Sequence, residues 1–288
     1  MKTRNFFELL EARWKKGFFM CVGLDSELGK IPKPVRQDRG EFESIFFFNQ
    51  TIVDVTKDIV CTFKPNIAFY ESLGSIGLMA LEETIEYIRE TAPEIPIILD
   101  FKRGDTRNSN QGYLKLAFEK CKVDAVTVHN YLGQESLQDF LDMSDKGIFI
   151  ICRTSNPDAG EFQDLEFKDE RLLYQVIAKR VSTAWNGNGN CGLVVGATCP
   201  EEIGIVRNII GDEMPILIPG VGAQKGDLEK SIDAGLNTKG QGIIINSSSG
   251  IIFAHQDLRG NAGLTFDKAI RRSAEKLHGQ ITGHLNRI

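Results

Sequence analysis

Residues 99–108 read LDFKRGDTRN and place Asp100, Lys102 and Asp105 within six positions, directly after the apolar run Ile95, Pro96, Ile97, Ile98, Leu99. Side chains alternate along an extended chain, so Asp100 and Lys102 are expected to project to one side with Phe101 opposite, and Gly104 to supply the turn that presents Asp105 nearby. Carboxylates interleaved with an ammonium group hold one another ionised, and Lys64, closing another apolar run, extends the set to four charges. A fixed ionic array of this kind stabilises charge that develops in a transition state without first having to reorganise. A surface salt-bridge cluster uses the same residue types but belongs on helical surfaces; these charges follow a buried run.

Such charges need a scaffold to converge. Short apolar runs at 20–24, 61–63, 97–99, 125–128, 148–152, 193–195, 216–218 and 243–245 alternate with amphipathic stretches at 42–60, 78–90, 111–120, 170–185, 201–210 and 228–234, and a last helix is predicted over 266–285. Eight strand–helix units with no composition break predict an α/β protein, a single (β/α)8 TIM-barrel domain over residues 1–288. An extra N-terminal helix over 6–16 is expected across the barrel floor.

In that fold the chemistry sits at the C-terminal ends of the strands. The residues closing the runs are polar: Asp25; Lys64 and Asn66; Asp100 and Lys102; His129 and Asn130; Arg153, Thr154, Ser155 and Asn156; Pro219 and Gly220; Asn246 and residues 247–249. His129 reads as a hydrogen-bonded strand-end histidine. IPGVGAQKGD at 218–227 and INSSSGIIFA at 245–254 are glycine-containing turns after the seventh and eighth strands, where backbone N–H groups commonly hold a phosphate. Gly220, Gly222 and Gly250 suit a close approach of backbone to an anion.

Composition excludes several classes. Hydrophobic residues make up 42% and charged residues 25%, as in ordinary globular proteins, and a net charge of -5 with scattered Lys and Arg argues against nucleic acid as a partner. No apolar stretch reaches the roughly 18 residues needed to span a bilayer, so no membrane is expected. Residues 1–16 are charged and helical in pattern, unlike a targeting segment. The six cysteines lack C-x-x-C spacing and sit mostly in apolar runs, as small buried hydrophobes in a reducing, cytoplasmic compartment.

GLD at 23–25, FKPN at 63–66, LDFKRGDTRN at 99–108, YLGQESL at 131–137, RTSNPDAGEFQDL at 153–165, PGVGAQKGD at 219–227 and NSSSGIIFA at 246–254 together resemble the orotidine 5'-phosphate decarboxylase family, more closely its bacterial and protozoan type 2 branch. The resemblance covers nearly the whole chain. Its D-x-K-x-x-D core is shared with a suprafamily of sugar-phosphate enzymes, and RTSNPDAGEFQDL favours the decarboxylase.

The resemblance implies decarboxylation of orotidine 5'-phosphate to UMP, the last step of de novo pyrimidine nucleotide synthesis, with Lys64, Asp100, Lys102 and Asp105 as the catalytic array, Lys102 stabilising and protonating a C6 carbanion, and no cofactor or metal. It implies a homodimer with shared sites, Asp105 and Thr106 reaching into the neighbouring subunit. By the same carry-over Asp25 and Lys64 bind ribose hydroxyls, Asn66 supports them, Ser155 hydrogen-bonds the pyrimidine, and Gln224 with the Gly222 loop, opened by Pro219, binds phosphate. Ser249 stands where the family usually carries a phosphate-pairing arginine, replacing a charge-assisted contact with a weaker neutral one; Arg259 is a candidate to compensate. Asn130 and Tyr131 follow His129 where the branch commonly reads Asn-Pro-Tyr. The rival readings are a metal-dependent sugar-phosphate lyase of the same suprafamily and a catalytically weak nucleotide-binding homologue, the latter motivated by Ser249.

Overall fold

A computed structural model of the chain describes residues 4–221, 226–257, 260–261 and 263–288. Eight strands alternate with helices: β1 Met20–Leu24, β2 Thr62–Pro65, β3 Ile98–Arg103, β4 Ala125–Val128, β5 Gly147–Arg153, β6 Cys191–Val195, β7 Ile216–Pro219 and β8 Ile243–Ser247. Their order in the sheet is β2-β1-β8-β7-β6-β5-β4-β3. Consecutive strands are therefore neighbours, and parallel bridges Phe63↔Ile97 and Asn66↔Asp100 join β2 to β3 at the two ends of that order. A cyclic order of parallel strands is the (β/α)8 barrel topology expected from the sequence. The strands are rich in Ile, Val, Leu and Phe and almost wholly buried, as parallel strands covered on both faces must be.

The described residues divide into two compact units, each drawn from separate stretches of chain. One comprises residues 4–7, Lys102–Lys115 and Ala125–Asn246. In it Phe6 packs edge-to-face on Phe149 at 5.6 Å, and its backbone N–H donates to Asp145 just ahead of β5. Arg207, 7% exposed, donates to the carbonyls of Gly235, Gly211, Met214 and Gly242, two of which lie just ahead of β7 and β8. The register Ile218↔Ile245 and Pro219↔Asn246 then aligns the polar ends of these two strands.

The other unit comprises Glu8–Phe101, Leu116–Asp124 and Ser247–Ile288. Phe48 stacks on Phe253 at 5.7 Å and on Phe266 at 6.4 Å, joining the helix Glu41–Thr56 to the segment after β8. Arg13 donates to Val60 and Lys57 carbonyls immediately ahead of β2. Among the described residues no helix is long and apolar enough to cross a membrane.

Three local expectations differ from what is observed. The third strand, read from the sequence as 97–99, runs on to Arg103, so Asp100 and Lys102 stand on the strand itself. The helix Gln134–Leu141 between β4 and β5 was not expected; only Leu137, Phe140 and Leu141 mark its apolar face, too short a run for periodicity to register. The N-terminal helix is Phe6–Trp14, and those predicted over 111–120 and 170–185 are instead Arg107–Leu114 and Leu173–Arg180, each continuing into a π-helical segment, Lys115–Lys120 and Val181–Trp185.

Candidate active site

In the second unit the ends of β1, β2 and β3 bring Asp25, Lys64, Asn66 and Asp100 together. Lys64 Nζ donates to Asp100 Oδ2 at 2.9 Å, with side chains only 4% and 11% exposed. Burial pushes the Lys64 ammonium down; the fields of Asp100, then Asp25 and Cys21, and the hydrogen bond to Asp100 together outweigh it, so Lys64 holds its proton more tightly than an ordinary lysine. Asp25 is half-buried, and its Oδ1 is buried with no hydrogen-bond partner among the described residues. Asn66 meets Asp100 through a backbone bridge, while its side chain accepts from Ala68 N at 3.2 Å and caps the helix Ile67–Glu71. Ser249 is exposed and opens the one-turn helix Ser249–Ile252.

In the first unit Lys102 is exposed and its backbone has φ of 45°, the left-handed region that costs a non-glycine residue about 1–2 kcal/mol. Its N–H donates to Thr127 Oγ1 at 3.1 Å, which anchors this conformation to β4. Alternation along an extended strand would point Lys102 with Asp100; the reversal of φ at Lys102 sets its side-chain direction instead. The turn expected at Gly104 is thus accompanied by a left-handed residue two positions earlier. Gly104 serves a close approach: a Cβ there would lie 2.5 Å from His129 O, beside the 2.7 Å bond from His129 N to Arg103 O. His129 is accordingly placed as a strand-end partner of β3.

Asp105 and Thr106 are exposed, with Thr106 N donating to Asp105 Oδ1 at 2.6 Å. The fully buried Asn110, which the sequence reading missed, grips the Asp105 backbone from both sides: Asp105 N donates to its Oδ1 at 3.1 Å and its Nδ2 donates to Asp105 O at 2.9 Å. An asparagine five residues after a candidate carboxylate is the only trace of this clamp in the sequence.

Ser155 is half-buried after β5 and packs against β6, where a Cβ at Gly196 would come within 2.6 Å of Ser155 Cβ and 2.8 Å of Ser155 N. The neighbouring Thr154 is held through its N–H by Gln163 Oε1 at 2.7 Å and through its hydroxyl by Gln163 Nε2 at 3.0 Å. Ala197 N donates to Pro219 O at 2.8 Å, so the ends of β5, β6 and β7 are laced in sequence. Gly222, Gln224 and Arg259 lie outside the described residues. Among the described residues no cluster of three or more His, Cys, Asp or Glu side chains is placed to hold a metal ion.

Residues 21–262 match the model of the orotidine 5'-phosphate decarboxylase / HUMPS family. The chain is 45% identical over 283 residues to an orotidine 5'-phosphate decarboxylase of Ralstonia pickettii, an alignment covering 98% of this chain and 100% of that one. Among solved structures it is similar to a Leishmania donovani OMP decarboxylase, with TM-score 0.82 and 33% identity over 98% of this chain and 99% of that one. It is also similar to L. donovani UMP synthase, with TM-score 0.85 and 35% identity, covering 98% of this chain and 57% of that longer one.

Proposed function

We infer the workings of this site from the premise that the chain belongs to the orotidine 5'-phosphate decarboxylase / HUMPS family. It is an orotidine 5'-phosphate decarboxylase, a carboxy-lyase that forms UMP in pyrimidine biosynthesis. Loss of carbon dioxide from C6 leaves an electron pair in the plane of the pyrimidine ring, with no conjugated sink to accept it. We propose that Lys102 supplies the missing stabilisation. The C6–carboxylate bond breaks, its pair stays on C6 beside the Lys102 ammonium, carbon dioxide departs, and a Lys102 proton passes to C6. Lys64, Asp100 and Asp105 complete the array, and solvent returns the proton to Lys102.

The observation that carries this reading is the left-handed backbone of Lys102 within β3, directly after the strand's buried residues 98–101. Strain of this kind persists where the surroundings hold it in place, and it gathers at functional positions. The orphan oxygen of Asp25 fits a ribose hydroxyl as its donor, with Lys64 beside it and Asn66 in a supporting role. Ser155 pairs with the pyrimidine. Pro219, Gly222, Gln224 and the Ser249 hydroxyl hold the phosphate, whose distant grip supplies binding energy for ordering the reacting end.

The active unit in this proposal is a homodimer in which Asp105 and Thr106 enter the partner's site. Support comes from their exposure and from Tyr131 and Leu132, which lie 93% and 48% exposed on the loop after β4. Six free, buried cysteines fit a reducing cytoplasm. Purified protein mixed with orotidine 5'-phosphate should deplete the substrate's pyrimidine absorbance, and Lys102→Ala should abolish the change. An inert wild type overturns the function; an active Lys102→Ala overturns the mechanism.

A further inference from the structure

The chain on both sides of Asp25 is tied to one buried polar cluster that does not enter the reaction described above. Asn49, Ser26, Tyr70 and Thr84 are each 1% exposed or less. Ser26 Oγ donates to Asn49 Oδ1 at 2.5 Å; Asn49 Nδ2 donates to Tyr70 Oη and to Thr84 Oγ1, both at 3.0 Å. Tyr70 Oη in turn donates to Leu24 O at 3.0 Å, and Thr84 Oγ1 to Ala80 O at 2.7 Å. The three supporting residues come from the helices Glu41–Thr56, Ile67–Glu71 and Gly74–Thr91.

Both Asn49 amide protons and the Tyr70 and Thr84 hydroxyl protons have an acceptor, and Ser26, which also hydrogen-bonds Tyr70, closes the cluster. Reversing the Asn49 amide would set its carbonyl against the Tyr70 and Thr84 hydroxyls, whose protons are already committed to Leu24 and Ala80. A fully satisfied network of this kind specifies one arrangement of a core, and a half-satisfied one costs more than an apolar replacement. Its two outputs are the Leu24 carbonyl and the Ser26 side chain, the residues immediately before and after Asp25.

We propose that Asn49 is a positioning residue for Asp25: by anchoring residues 24 and 26 it fixes where the unpartnered Asp25 oxygen meets the substrate. This rests on the reading of Asp25 as a ligand of the ribose hydroxyls.

The test is a double-mutant cycle read in kcat and KM with orotidine 5'-phosphate, with thermal unfolding followed in parallel. Asn49→Leu should lower kcat/KM by about a hundredfold and the milder Ser26→Ala by about tenfold. In an Asp25→Ala background each should cost less than about twofold, because the group they position is gone. Equal fractional losses in both backgrounds overturn the inference and leave the cluster a purely structural role. Should Asn49→Leu not fold, Ser26→Ala alone decides by the same comparison. Asp25→Ala with unchanged kcat/KM overturns the ribose reading, and the positioning role falls with it.

Discussion

Lys64 Nζ and Asp100 Oδ2 stand 2.9 Å apart, and both side chains are almost withdrawn from water. Removing one partner of such a pair strands the other as a buried charge. Asp100→Ala is therefore expected to destabilise the fold by about 3 kcal/mol, whereas Lys64→Met with Asp100→Leu restores most of that loss while remaining inactive. Denaturant unfolding of the three proteins checks the order; a double variant no more stable than Asp100→Ala contradicts it.

The left-handed φ of Lys102 separates backbone from side chain as sources of stability. Lys102→Gly and Lys102→Ala should each lower kcat/KM by at least about a thousandfold. Glycine adopts this φ without penalty, so the glycine variant should be about 1 kcal/mol more stable than the alanine one. Identical denaturation midpoints would mean that position 102 stores no strain.

If Asp105 serves the partner's site, two inactive proteins should rescue each other. Mixing Lys102→Ala with Asp105→Ala at equal concentration makes half of the dimers mixed, each with one intact site, and so about a quarter of wild-type activity returns. A mixture as inactive as its components assigns Lys102 and Asp105 to sites within one chain.

Burial pushes the thiols of Cys21, Cys121, Cys152 and Cys191 up to about 12. In the unfolded chain a thiol loses its proton near pH 8.5, so above that pH the folded chain binds more protons than the unfolded one. The unfolding free energy should therefore be unaffected by these groups below about pH 8 and fall steadily from about pH 9 toward 12. Lys64, whose proton is also held more tightly when folded, adds to the decline above about pH 10.4. Urea titrations at pH 8, 9 and 10 measure the slope, which Cys152→Ala should reduce; a pH-independent stability would refute the account.

Much of this architecture is legible in the residues because most strands are compact apolar runs closed by a polar residue; β6, followed by Gly196 and Ala197, is an exception. Asp100 and Lys102 betray themselves by their spacing in the same way. The left-handed turn at Lys102 carries no such mark, since glycine is the residue that advertises it and Gly104 sits two places away. Asn49 is similarly silent: within FFFNQTIV it reads as one polar break on an apolar helix face, and its partners lie 21 to 35 residues away in the chain. Asn110 looks like an ordinary helix residue until its backbone clamp on Asp105 is seen. Pairings of that range are decided by tertiary packing, which local pattern does not encode.

The four carbonyls gathered by Arg207 constrain how this protein can vary. A guanidinium spreads its donors in a rigid planar fork, while a lysine concentrates its hydrogens on one nitrogen and has no means of reaching oxygens in diverging directions. Conserving charge at position 207 would not conserve the wiring, and so the exchange of one cation for the other, harmless on most surfaces, is closed to drift at this point of the chain.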